Sequence, residues 1–195
     1  EASGKLGHAH SGLLAVWERA DDQGAWELGY RPSADLAGAF KAANLLYIAG
    51  SDPAGDDPRL AQAVEDAGFV ILQELFMSET AQRADIVFPA LAYTEREGTL
   101  VNGERRVQRY YPALMPRTGA RADYAIAAQI GQRLGLPLPD RAASLVFQRA
   151  AAEFPAFAGL TYQRLAETPE QWPIIGRNGL YFGGTGYDNQ QGIGV

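Results

Sequence analysis

The amino-acid sequence predicts an α/β fold: a three-layer, Rossmann-like parallel sheet with C-terminal helices and a Gly-rich tail. Three observations predict it. The apolar runs Leu45–Ala49, Phe69–Leu72 and Ile86–Phe88 are strand-sized, and Gly50 and Pro89 end the first and third. The segments between them carry helix caps and helical spacing. The joints are short, so strand, helix, strand, helix, strand implies right-handed crossovers in a parallel sheet.

Residues 1–10 mix Gly, Ala, Ser and His without periodicity and predict a flexible terminus. Leu13–Val16 reads as a strand, and Gly24 and Gly29 mark turns rather than a long helix. Ser33 is the expected cap of a helix over Asp35–Ala43, with Leu36, Ala39, Phe40 and Ala43 on one face. The continuous run Leu45–Ala49 predicts a parallel strand covered on both faces. A helix over Pro58–Ala67 leads to the second strand, and Ser78 caps a shorter helix through Ala84 before the third. Tyr110–Arg121 reads as loop. Asp123 is the expected cap of a helix with Ile126, Ile130 and Leu134 four residues apart, ended by Gly135 and Pro137. A further helix runs from Asp140 to about Phe154. The organisation expected is a terminus over 1–10, one α/β domain over 11–155, and an extension with a Gly-rich tail over 156–195 packed on it.

Composition narrows the function classes. With 47% apolar and 21% charged residues the chain is that of a globular protein, and no apolar run approaches the ~20 residues that span a bilayer. No direct membrane insertion is expected. The absence of cysteine excludes disulfides, thiolate zinc sites and Cys-ligated iron–sulfur clusters within these residues. The first residues show no initiator Met, signal or transit pattern, as expected of an excised piece. A net charge of −6 argues against nucleic acid. The charge is uneven: from Arg96 to Arg121 six arginines face only Glu97 and Glu104, so this segment carries +4 and the remainder −10.

The segment that carries function is ADIVFPALAYTEREGTLVNGERRVQ, from Ala84 to Gln108, in which a strand hands over to a polar stretch. Ligands of open α/β sheets bind beyond the carboxyl ends of strands, which gives this stretch its place. It resembles a motif of the molybdopterin oxidoreductase superfamily: an A-D-x-V-x-P strand, then E-x-x-G-T, an Asn and R-x-Q. The stretch GARADYAIAAQIGQRLG resembles a helix of the same superfamily, with Tyr124 where Trp is usual, and FPAFAGLTYQRLAETPEQWP gives a third match. Within the superfamily the chain looks most like the molybdopterin-type domain of the large iron–sulfur subunit of bacterial respiratory complex I.

Asp52, Glu95, Gly98, Thr99, Asn102, Arg106 and Gln108 are the residues that the resemblance places in a relic pterin pocket. Three of them also have a plain structural reading. Asp52 forms a turn with Pro53 while Asp56 or Asp57 caps the next helix; Glu95 fixes the loop through backbone amides or an arginine; Gly98 supplies a positive φ. Arg105 stands where the superfamily usually has Gly, and its long side chain is expected to fill or block the pocket. The arginine cluster suits surface ion pairs, an acidic face of a neighbouring subunit, or phosphate. His8 and His10 are too few for a metal site. The tail's GGTGYDNQQGIG lacks the strand and helix that a dinucleotide loop requires.

The resemblance implies a non-catalytic structural domain of NADH:quinone oxidoreductase. No catalytic residue, metal ligand or bound cofactor is expected in the chain itself, and the iron–sulfur clusters are expected in an N-terminal part of the full subunit. Other peripheral-arm subunits are the expected partners, on the cytoplasmic side of the bacterial inner membrane. The alternative is a fragment of a molybdenum or tungsten bis-pterin oxidoreductase of formate or nitrate type. An independent nucleotide-binding module is disfavoured because no phosphate loop follows the strands.

Overall fold

A computed structural model describes residues 16–103 and 105–166. In chain order the elements are α1 (Asp22–Glu27), α2 (Leu36–Ala42), β1 (Leu46–Ala49), α3 (Pro53–Asp56), α4 (Pro58–Glu65), β2 (Val70–Glu74), α5 (Glu79–Arg83), β3 (Ile86–Pro89), β4 (Gly98–Val101), β5 (Val107–Tyr110), α6 (Asp123–Arg133), α7 (Ala143–Glu153) and α8 (Tyr162–Ala166). They form two compact units. One comprises the described residues up to Arg31, Gly98–Tyr110 and those from Ala143 onward; the other comprises Pro32–Glu97 and Tyr111–Ala142.

The second unit is the parallel α/β layer the apolar runs predict. Its sheet has the order β1-β2-β3, with Leu46 opposite Val70 and Leu72 opposite Val87. One face packs Leu46, Ile48, Val70 and Leu72 against Val64 of α4 and Ala81 of α5, with Phe40 and Val87 at the margin. Fully burying side chains of this size stabilises by about 1.5–3 kcal/mol each. The strand β1 departs from the two-sided expectation. Its residues alternate between buried and exposed, and Tyr47 is 42% exposed. Continuous apolar text does not by itself show how many faces are covered.

Caps also differ in detail from expectation. Asp35, not Ser33, caps α2, accepting from Gly38 N at 2.8 Å. Asp57 caps α4 and Ser78 caps α5 as expected. Asp123 is the first residue of α6 rather than its cap, and its carboxylate is used across the sheet. Leu134, third in the four-residue repeat, follows the last residue of α6 as its C-cap and is 76% exposed. Gly135 beyond it takes φ +85, the left-handed stop the sequence suggests.

The first unit is built around an antiparallel hairpin where the sequence shows only a polar stretch. β4 pairs with β5, Val101 opposite Val107 and Thr99 opposite Arg109. Val101 and Val107 are buried, and Phe147 of α7 lies 6.0 Å from Phe157 and 5.5 Å from Tyr162 of α8, ring to ring. The short α1 joins this unit through Asp21, whose Oδ1 accepts from Val101 N at 2.8 Å. Gly24 lies inside α1 rather than in a turn, whereas Gly29 follows it at φ +90. The expected strand at Leu13–Val16 falls outside the described residues except for Val16, which is in no strand; the terminal histidines and the Gly-rich tail fall outside them altogether. Among the described residues no helix is long and apolar enough to cross a membrane.

Candidate functional site

In the parallel unit the polar groups gather at the carboxyl ends of the strands. β1 ends at Ala49; Gly50 follows with a φ of +61 that turns the chain sharply, and Asp52 is the cap of α3. Its Oδ1 accepts from Thr80 N at 2.8 Å, Thr80 Oγ1 at 2.7 Å and Gly55 N at 3.3 Å. Thr80 is fully buried, and its hydroxyl in turn accepts from Ala54 N at 3.0 Å. Partial burial pushes the Asp52 carboxyl up, but the hydrogen bonds from Thr80 and the neighbouring amides outweigh it and hold the group below the usual carboxylate range. Asp52 is thus more than a turn former: it ties the end of β1 to the start of α5.

Beside it, a polar chain crosses the outer face of the sheet. The Tyr47 hydroxyl donates to Gln73 Oε1. Gln73, only 2% exposed, donates through Nε2 to Asp123 Oδ1 at 2.9 Å. Asp123 Oδ2 pairs with Arg96 Nη2 at 3.3 Å. Burial first, and then the Asp123 carboxylate, raise the Tyr47 phenol above its ordinary value. Sequence reasoning missed Tyr47, Gln73 and Asp123 as one group. The one available signal was a Gln directly after the apolar run Val70–Leu72, since a buried amide demands partners.

Glu95 is buried in a 3-10 turn over Tyr93–Glu95. Its Oε2 accepts from Ala92 N at 3.0 Å, and Oε1 lies 3.8 Å from Arg117 Nε. Both expected partners of this residue, a backbone amide and an arginine, are present.

The other five residues of the motif belong to the hairpin unit. Gly98 is not among the residues with positive φ. Glycine is needed there for space: a Cβ would lie 2.6 Å from the Tyr110 hydroxyl and 2.8 Å from its ring. Asn102 shapes the connection between the strands, its Oδ1 accepting from Arg106 N at 2.9 Å. Arg105 carries the positive φ instead, +63, and its guanidinium reaches Glu27 at 2.8 Å. The superfamily's usual Gly at this place is explained by that backbone conformation. The expectation that Arg105 blocks a pocket is corrected, because its half-exposed side chain is drawn to Glu27. Arg106 is 2% exposed, whereas Gln108 is exposed. Cross-strand register puts Gly98, Leu100, Gln108 and Tyr110 on one face and Thr99, Val101, Val107 and Arg109 on the other.

The seven motif residues are therefore distributed as Asp52 and Glu95 in one unit and Gly98, Thr99, Asn102, Arg106 and Gln108 in the other. Within the hairpin, Thr99 and Gln108 face opposite ways. Asp52 Oδ1 and Asn102 Oδ1 are engaged by their own surroundings. Among the described residues no group of three or more His, Cys, Asp or Glu is placed to hold a metal. Within each unit these contacts fix the backbone at strand ends and at the hairpin connection.

The family model "Molybdopterin oxidoreductase" matches residues 2–133. The F420-dependent formate dehydrogenase 2 subunit alpha of Methanococcus maripaludis is 33% identical over 174 residues, 87% of this chain and 25% of that protein. Formate dehydrogenase H of Escherichia coli is 33% identical over 153 residues, 74% of the chain and 21% of that protein. The F420-dependent formate dehydrogenase subunit alpha of Methanocaldococcus jannaschii is 32% identical over 143 residues, 71% of the chain and 21% of that protein. The chain spans between a fifth and a quarter of the length of these relatives. Their names overturn the complex I assignment, and the peripheral-arm partners implied by it lose their support. The motif at Ala84–Gln108 that suggested complex I is shared across the superfamily, and so does not separate one branch from another. With its parallel α/β layer and a family match over most of its length, the chain belongs to the molybdopterin oxidoreductase family.

Proposed function

We propose that this chain is part of a formate-type molybdenum or tungsten bis-pterin oxidoreductase, a protein that oxidises formate or runs the reverse reaction. The observation that carries this reading is the 32–34% identity to proteins named as formate dehydrogenases or their alpha subunits, over a stretch that includes the E-x-x-G-T hairpin. Within it, this chain supplies scaffold. Asp52 and Thr80 fix the end of β1, Glu95 fixes the turn after β3, and Asn102 fixes the hairpin connection. The metal and its ligands are held by residues other than those described, and a bound molybdenum or tungsten centre would supply the two-electron redox chemistry. A second subunit that receives the electrons is the expected partner, since several relatives are themselves named as alpha subunits.

The test is metal and pterin analysis of the natively purified full-length protein, together with formate-dependent reduction of a viologen dye. Stoichiometric molybdenum or tungsten, pterin fluorescence after oxidation, and formate-dependent dye reduction are the expected results. Protein lacking both metals and pterin, or a loaded protein inert to formate, overturns the reading.

A further inference from the structure

In the parallel unit, a cavity of about 420 Å³ opens where α6 meets the end of β3. Its apolar lining includes Phe88, Ile126 and Ile130, and Ile126 is 4% exposed, so this part is built from the unit's own interior. Arg121, Gln129 and Arg133 supply the polar lining. The cavity's size and its mixture of apolar walls with a few polar groups are those of a small-molecule site.

The two arginines set the charge of its occupant. Elsewhere in this unit Arg59, Arg83, Arg96 and Arg117 each lie within 4.0 Å of a carboxylate. Among the described residues neither Arg121 nor Arg133 has a carboxylate at that distance. Arg121 is steadied by a neutral group, its Nη1 donating to Gln129 Oε1 at 2.5 Å. Gln129 is itself held by Asp140, to which its Nε2 donates at 3.3 Å; Asp140 does not line the cavity. Arg121 is thereby oriented without its charge being neutralised. Arg133, in the last turn of α6, also favours the negative end of the helix dipole, a role that leaves its guanidinium donors available.

We infer that this cavity binds a small organic carboxylate with an apolar body, the carboxylate held by Arg121 and Arg133 and the body seated on Phe88, Ile126 and Ile130. Guanidinium groups suit a carboxylate because their paired donors match its two oxygens. Formate itself leaves the apolar lining unused, so this site is separate from the proposed reaction and does not depend on it.

The test is calorimetric or NMR titration of the purified protein with 3-phenylpropionate, and with acetate and 3-phenylpropanol as analogues lacking the body or the charge. Saturable binding of 3-phenylpropionate is expected, at least tenfold tighter than either analogue. The double substitution Arg121→Gln with Arg133→Gln weakens it at least tenfold while the circular dichroism spectrum is unchanged. Ile130→Ser weakens 3-phenylpropionate and leaves acetate unaffected. No saturable binding, equal binding of the alcohol, or full affinity in the double variant overturns the inference. Because the readout is binding rather than formate turnover, it stands or falls apart from the proposed function.

Discussion

Arg105 shows what a single residue's environment decides. A non-Gly residue at φ +63 pays for a left-handed conformation that glycine adopts without steric cost. Arg105→Gly and Arg105→Ala both remove the ion pair with Glu27, so their difference isolates the backbone. The glycine variant is expected to be more stable than the alanine variant by about 1 kcal/mol in urea denaturation. Equal midpoints would show that the conformation costs nothing. Asp52 gives a second prediction, in pH. Its folded carboxyl titrates below its unfolded value, so its contribution is fully present above roughly pH 4 and is lost as pH falls through the depressed folded value. Asp52→Asn keeps an acceptor for Thr80 but has no such titration. It is expected to be less stable than the parent near neutrality by about 1 kcal/mol, with the gap closing below about pH 4. A constant gap across that range would contradict the linkage. The sequence made Asp52 visible as a candidate, but the partner that changes its chemistry, Thr80, lies 28 residues away. No local pattern shows such a pairing.

At the scale of elements, β1, β2, β3 and α4 were legible because apolar runs, caps and short joints all pointed the same way. The β4–β5 hairpin was not, for a physical reason. Gly98, Asn102 and the glycine and arginines that follow read as loop residues, and only cross-strand register turns Thr99, Val101 and Val107 into an inward-facing row. The hairpin depends on close approach at its open end. Gly98→Ala puts a methyl 2.6–2.9 Å from the Tyr110 hydroxyl and ring, which must shift. A loss of about 1–3 kcal/mol is expected, as for overpacking. Combining it with Tyr110→Ala should recover part of that loss, measured as a coupling energy in a double-mutant cycle. Strict additivity would mean that the ring moves aside freely and that the glycine has another purpose.

At the scale of the molecule, the sequence could be read in order but the units could not. The parallel layer is nearly continuous in sequence, from Pro32 to Glu97 with Tyr111–Ala142 added; the hairpin unit is assembled from three separated stretches. Local periodicity is informative for the first; in the second it shows the helix α7 but not the hairpin or its assembly, because the closures that define that unit are long-range. The clearest of them is Asp21 with Val101, 80 residues apart. Val101 is 3% exposed, so its amide without an acceptor is a buried orphan donor, with a penalty of roughly 1–3 kcal/mol. Asp21→Ala is therefore expected to destabilise the hairpin unit by that amount and to accelerate hydrogen exchange at the Val101 amide. Asp21→Asn retains an oxygen acceptor and should restore most of the protection. If the alanine variant left exchange at Val101 unchanged, the amide would have to find another acceptor, and the link that brings α1 to the hairpin would be packing rather than this hydrogen bond.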